Sequence, residues 1–90
     1  MLIYDDAEAA YLRWVHANPQ GYVLNISEDG GSDLSYAMLH RASCRHISSD
    51  QTKNYTTTSY NKVCSLNKQE LVDWGHQHSS RYKECKVCKP

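Results

Sequence analysis

The sequence predicts one small α+β domain: an antiparallel sheet of about three strands, flanked by two helices and closed by a staple. Three observations lead there. The chain has 90 residues, enough for one core and too few for two. Segments of helical and of strand periodicity both occur along it. Phe is absent, so seven Tyr and two Trp supply much of the apolar area. A chain this short buries only roughly 60–65% of its unfolded surface, and such domains commonly add a disulfide, a structural metal or oligomerisation.

Residues 5–18 form the first predicted helix. Tyr11, Trp14 and Val15 recur at helical spacing, and Asp5, Asp6 and Glu8 suit the positive end of its dipole. Pro19 ends it by disfavouring helical backbone at Asn18. Residues 22–26 are rich in strand formers, residues 27–32 are a polar turn, and residues 36–40 are the return strand of a hairpin. Gly30 and Gly31 belong to that turn, since no strand–loop–helix arrangement makes them a phosphate loop. Residues 41–59 are the least regular stretch, with loop composition at 48–54, and residues 60–64 are the third strand. The second helix starts at Asn67, an N-cap with Glu70 three residues on; Leu66 and Leu71 are spaced for a hydrophobic staple. Leu71, Val72 and Trp74 are its buried stripe, and Gly75 is expected to weaken it, so that it frays through residues 76–80.

No signal peptide opens the sequence and no segment has the ~20 apolar residues of a membrane span, so a cytoplasmic setting is expected. There, closely spaced cysteines are metal ligands or redox centres more often than disulfides. Net charge is zero, yet residues 1–33 carry roughly −5 and the remainder roughly +5. The two ends can attract each other, or the basic part can face an anionic partner.

Cys85 and Cys88 form a C-x2-C whose spacing suits two thiolates on one tetrahedral zinc, and Lys86 and Lys89 favour the thiolate form. His40 and Cys44 offer H-x3-C at the end of a predicted strand. Together they complete a set of three cysteines and one histidine for one structural zinc. Cys64 is open to two readings, a buried thiol or a ligand replacing His40. His16, His46, His76 and His78 are further donors that fit the spacing less well. The C-x2-C starts no helix, which argues against a thioredoxin-type redox pair.

The run from His40 to Cys44, then Asn61-Lys62-Val63, a helix with Glu70-Leu71, and Cys85-Lys86-Val87-Cys88-Lys89-Pro90 resembles the Ada-type metal-binding module. That module occurs in DNA methylation-repair proteins and at the ends of some bacterial nucleases; similar patterns occur in short bacterial proteins. The likeness covers residues 38–90 and has no counterpart for 1–37. It implies a small sheet with zinc clamping the long loop to the C-terminal segment, and DNA as a partner. The family's methyl-accepting first ligand is a cysteine. Here it is His40, whose imidazole offers no thiolate to alkylate.

A non-catalytic binding module is therefore the leading expectation. Arg41, Arg45, Lys62, Arg81, Lys83, Lys86 and Lys89 cluster in sequence around the ligands and could meet phosphates. Tyr55, Tyr60 and Tyr82 are available to stack on bases as well as to pack the core. A protein-interaction or structural module is the alternative. A hydrolytic zinc needs an open coordination position and a general base, and four ready ligands argue against one. No membrane partner and no small-molecule substrate are expected.

Overall fold

Apolar side chains on both faces of the central strands require cover on both sides of the sheet, and the computed structural model has it. It describes residues 1–27, 33–48, 55–56 and 60–90. The elements are β1 (Leu2–Tyr4), α1 (Glu8–Ala17), β2 (Tyr22–Ser27), β3 (Ala37–Arg41), α2 (Arg45–Ser48), β4 (Tyr60–Ser65), α3 (Lys68–His78) and β5 (Tyr82–Glu84). The sheet order is β1-β4-β2-β3-β5. The turn expected at 27–32 and the loop expected at 48–54 fall almost wholly outside the described residues, as do three of the residues 55–59.

The three predicted strands are present, and β2 pairs antiparallel with β3 as a hairpin should. The sheet is nevertheless larger than predicted. It has five strands and is mixed, because β5 pairs parallel with β3. Both added strands are three residues long, too short for an alternation pattern to register, and both lie at sheet edges.

Register sorts the side chains between two layers, since paired residues of neighbouring strands point to the same face. One face aligns His40, Val23, Cys64 and Leu2. Tyr11 and Val15 of α1 and Ile47 of α2 cover it. The other face aligns Leu39, Leu24, Val63 and Ile3 and packs against Leu71 of α3. Val23 and Leu24, neighbours in sequence, are both fully buried on opposite faces.

Helix boundaries differ from expectation for local reasons. Residues 5 and 6 form a bend ahead of α1, Asp6 has φ 50°, and its N–H donates to Thr56 O at 2.8 Å. The Asn67 side chain caps α3 by accepting from the N–H groups of Gln69 and Glu70. Glu70 does not reach back to Asn67 directly. It accepts from the Ser65 hydroxyl at 2.7 Å, and Ser65 Oγ accepts the Asn67 N–H at 3.0 Å. The expected staple is also replaced: Leu66 is 58% exposed while Leu71 is fully buried. Gly75 does not fray the helix, which runs on to His78. A Cβ at Gly75 would lie 2.5 Å from Cδ2 of Tyr82, so the glycine lets the β5 chain approach. Among the described residues no helix is long and apolar enough to cross a membrane.

Candidate metal centre

Two chain turns, far apart in sequence, build the centre. His40 is near the end of β3, where its backbone is fixed by pairing with Val23. The chain then turns: Cys44 N–H donates to Arg41 O at 3.0 Å, and Cys44 O accepts from Ile47 N–H at 3.0 Å as α2 starts. The second turn follows β5. Cys85 N–H donates to Leu39 O at 2.9 Å, continuing the ladder and setting Cys85 beside His40. Lys89 N–H returns to Cys85 O at 3.1 Å, with Lys89 in the left-handed region at φ 49°. This closes the C-x2-C into a tight turn.

The ligand atoms of His40, Cys44, Cys85 and Cys88 all lie within 4.8 Å of one another, so the cluster could hold a metal ion. This is the tetrad expected from the spacing. Cys44 and Cys85 are buried and Cys88 is half-buried. The donor set passes a direct test of fit. His40 is 4% exposed, and its Nδ1 is the one buried side-chain nitrogen or oxygen among the described residues without a hydrogen-bond partner. A buried imidazole nitrogen without a partner, in a histidine clustered with three cysteines, is costly alone, and a metal bound there offsets that cost.

Electrostatics at the cluster are uneven. Burial first, with the nearby His46 and Lys62 adding to it, lowers the His40 pKa to about 4, so the imidazole is neutral and able to ligate. Burial pushes the Cys44 thiol up to about 11, against a lowering backbone hydrogen bond. Burial also raises Cys85, but hydrogen bonds from the Cys88 and Val87 backbone and from the Cys88 and Cys44 side chains outweigh it and hold Cys85 below the usual thiol value. Arg41 braces the turn. Its backbone N–H donates to Cys88 Sγ at 3.2 Å, and its guanidinium donates to Cys88 O at 2.9 Å and Lys89 O at 3.0 Å.

Cys64, the alternative ligand, is outside the cluster. Val23 stands between it and His40 in the register, which separates the two by two strand spacings, roughly 10 Å. It is a buried core thiol pushed up to about 12 by burial. Of the other histidines, His46 is exposed beside the cluster, His16 contacts Ser48 O, and His78 stacks on Trp74 at 3.9 Å.

The candidate basic residues separate into two groups. Arg41, Arg45, Arg81, Lys83, Lys86 and Lys89 are exposed. Lys62 is not: it is 3% exposed, and its Nζ donates to Asn25 Oδ1 at 2.8 Å and Tyr55 O at 2.6 Å. Lys62 therefore leaves the candidate basic face and becomes part of the core. Tyr55 is likewise buried, whereas Tyr60 is 40% exposed.

Sequence reasoning misses the supporting residues. Glu8, a dipole partner by its position, has a carboxylate that accepts the N–H groups of Tyr55 and Thr56, each at 2.8 Å. Also missed is an open groove of about 530 Å³ beside the cluster, with Tyr36, Met38, His46, Lys83 and Val87 among its walls.

Fold and cluster together define a small α+β domain, a five-stranded mixed sheet between helices, with one histidine and three cysteines that could hold one metal ion. Comparison of the chain with protein-family models, curated proteins and solved structures finds no match among any of them.

Proposed function

We propose that this chain is a non-catalytic binding module, stabilised by one structural zinc on His40, Cys44, Cys85 and Cys88, that contacts DNA through cations around that site. The observation carrying the proposal is the convergence of the four ligand atoms within 4.8 Å. Zinc is favoured over other ions by three thiolates and an imidazole in a closed four-donor set. It would supply a rigid tie between the 40–44 turn and the C-terminal turn, and no chemistry on a substrate. DNA as the partner is supported by the resemblance to Ada-type modules and by exposed Lys83, Lys86, Lys89, Arg41 and Arg45 flanking the ligands.

A protein partner is the second reading, favoured by one observation. Leu2, Ile3 and Leu66 are about half exposed, at 48%, 54% and 58%, along the β1 side of the sheet.

Elemental analysis should find one zinc per chain. Cys88→Ser should lose it, and Cys64→Ala should keep it. Excess chelator should lower the thermal midpoint by roughly 10–20 °C, the shift that losing a few kcal/mol produces in a domain of this size. A metal-free chain whose melting is unchanged in chelator would overturn the zinc reading.

A further inference from the structure

We propose that the groove beside the cluster binds a nucleotide whose base is unpaired, with the base against Tyr36 and the phosphate at Lys83 and Lys86. The inference deepens the binding-module reading and rests on it, because the C-terminal turn that forms one wall is the turn the metal would hold.

The groove lies where the sheet emerges from under α2. Register pairs Met38 with Lys83, which puts both side chains on the α1–α2 face, next to Asn25. Glu84, between Lys83 and Cys85, belongs to the opposite face. Glu84 also lines the groove, but its carboxylate accepts the Tyr82 hydroxyl at 2.9 Å on that opposite face, turned from the Lys83 side. Tyr36 and Tyr60 form a T-shaped pair with centroids 5.4 Å apart, and Lys83 Nζ lies over the Tyr36 ring, 5.1 Å from its centre, so a base stacking there takes the ammonium's place and leaves it to the phosphate. Met38 and Val87 add apolar surface, and Val87 is 57% exposed with no core role.

Aromatic ring, aliphatic floor and cations at one rim are the parts with which proteins hold unpaired bases: a π-face for stacking and ammonium groups for the backbone. The volume of about 530 Å³ falls within the size of small-ligand sites. A concavity of this kind admits a base that is splayed out and excludes one locked in a pair. The zero net charge keeps long-range attraction low, so the contact should be local and salt-sensitive.

The test is fluorescence anisotropy of a labelled oligothymidylate at low salt, against the same sequence in a duplex, with zinc content measured on the same sample. Saturable binding to the single strand, tighter than to duplex, is expected. Lys83→Glu should weaken it about tenfold and flatten the salt dependence by roughly 0.7 in slope. Tyr36→Leu, which fills space but cannot stack, should weaken it by a similar factor. Arg13→Glu, on α1 and not among the groove residues, should leave it unchanged. Displacement of the probe by thymidine monophosphate identifies the free nucleotide as a sufficient ligand; binding of the strand alone identifies nucleic acid. A flat titration, equal affinity for duplex, or equal losses from Arg13→Glu and Lys83→Glu overturns the proposal whatever the metal content. Zinc content decides the metal reading separately: a metal-free chain that binds through Lys83 keeps the groove and removes the zinc.

Discussion

An ammonium group taken out of water is costly unless its protons are satisfied, and Lys62 shows how this chain meets that cost. Two acceptors, Asn25 Oδ1 and Tyr55 O, hold its Nζ, and the Tyr11 and Tyr55 rings lie 6.0 and 5.9 Å away. Burial still dominates and lowers the Lys62 pKa from 10.5 to about 8, with Glu8 and Cys64 pulling it back up. Between those two values the unfolded chain holds a proton that the folded chain has released, so this group makes stability rise with pH across that window. Below about pH 8 both states are protonated and the cost is fully present. Wild type minus Lys62→Met should therefore gain about 1–3 kcal/mol from pH 7.5 to 10.5, read from urea midpoints at each pH. A flat difference would mean that Lys62 keeps its charge in the fold. Taking the difference removes most of the opposing effect of Cys64, whose burial-raised pKa makes stability fall with pH above the ordinary thiol value in both proteins; only the Lys62–Cys64 attraction is left in it. From sequence, Lys62 counted as one cation of a basic half. Nothing in the residue type separates it from Lys83, because its burial depends on Tyr55 and α1 closing over β4.

At the scale of elements, the sequence was legible wherever a pattern ran long enough to repeat. β2, β3 and β4 have five or six residues each, and their ranges follow their strand formers closely. The His/Cys cluster was legible for a related reason: coordination chemistry ties residue type to spacing, so two short motifs point to four side chains that could hold one ion. β1 and β5 were not legible, since three residues carry no period and their pairing is decided by what lies beside them. Gly75 is the clearest case of context reversing propensity. A glycine in mid-helix costs about 1 kcal/mol relative to alanine, so Gly75→Ala would stabilise α3 in isolation. In the fold the new methyl would meet Tyr82 Cδ2 at 2.5 Å and Cε2 at 2.9 Å, and rigid ring atoms cannot yield without moving β5. Overpacking of this kind costs roughly 1–3 kcal/mol, so the variant should be net destabilised by about 1 kcal/mol in urea unfolding. A more stable variant would show that Tyr82 moves aside at no cost.

For the whole molecule, the sheet has a strong middle and weak edges. β2 is hydrogen-bonded on both edges, over five pairs with β3 and six with β4, and it is covered by helices on both faces. Each edge strand, β1 and β5, is attached by only three pairs, and β5, in the parallel pairing, has no partner on its outer edge among the described residues. The His40–Cys44–Cys85–Cys88 cluster crosses the β5 seam, tying the C-terminal turn to β3 and the start of α2. A metal there adds its binding free energy mainly where the backbone ladder adds little. Its removal should then act locally before it acts globally. Hydrogen exchange measured with and without chelator should show the amides of Cys85, Arg41 and Lys89 exchanging roughly tenfold faster or more, while Leu24 and Val63 change least. The Cys85 and Arg41 amides donate across the seam, to Leu39 O and Cys88 Sγ, and the Lys89 amide donates within the C-terminal turn; the last two residues lie on the central strands. Equal acceleration at Leu24 and Cys85 would instead place the stabilisation in the core as a unit. In that case the chain would fold and unfold with its metal in one step, as the smallest zinc domains do.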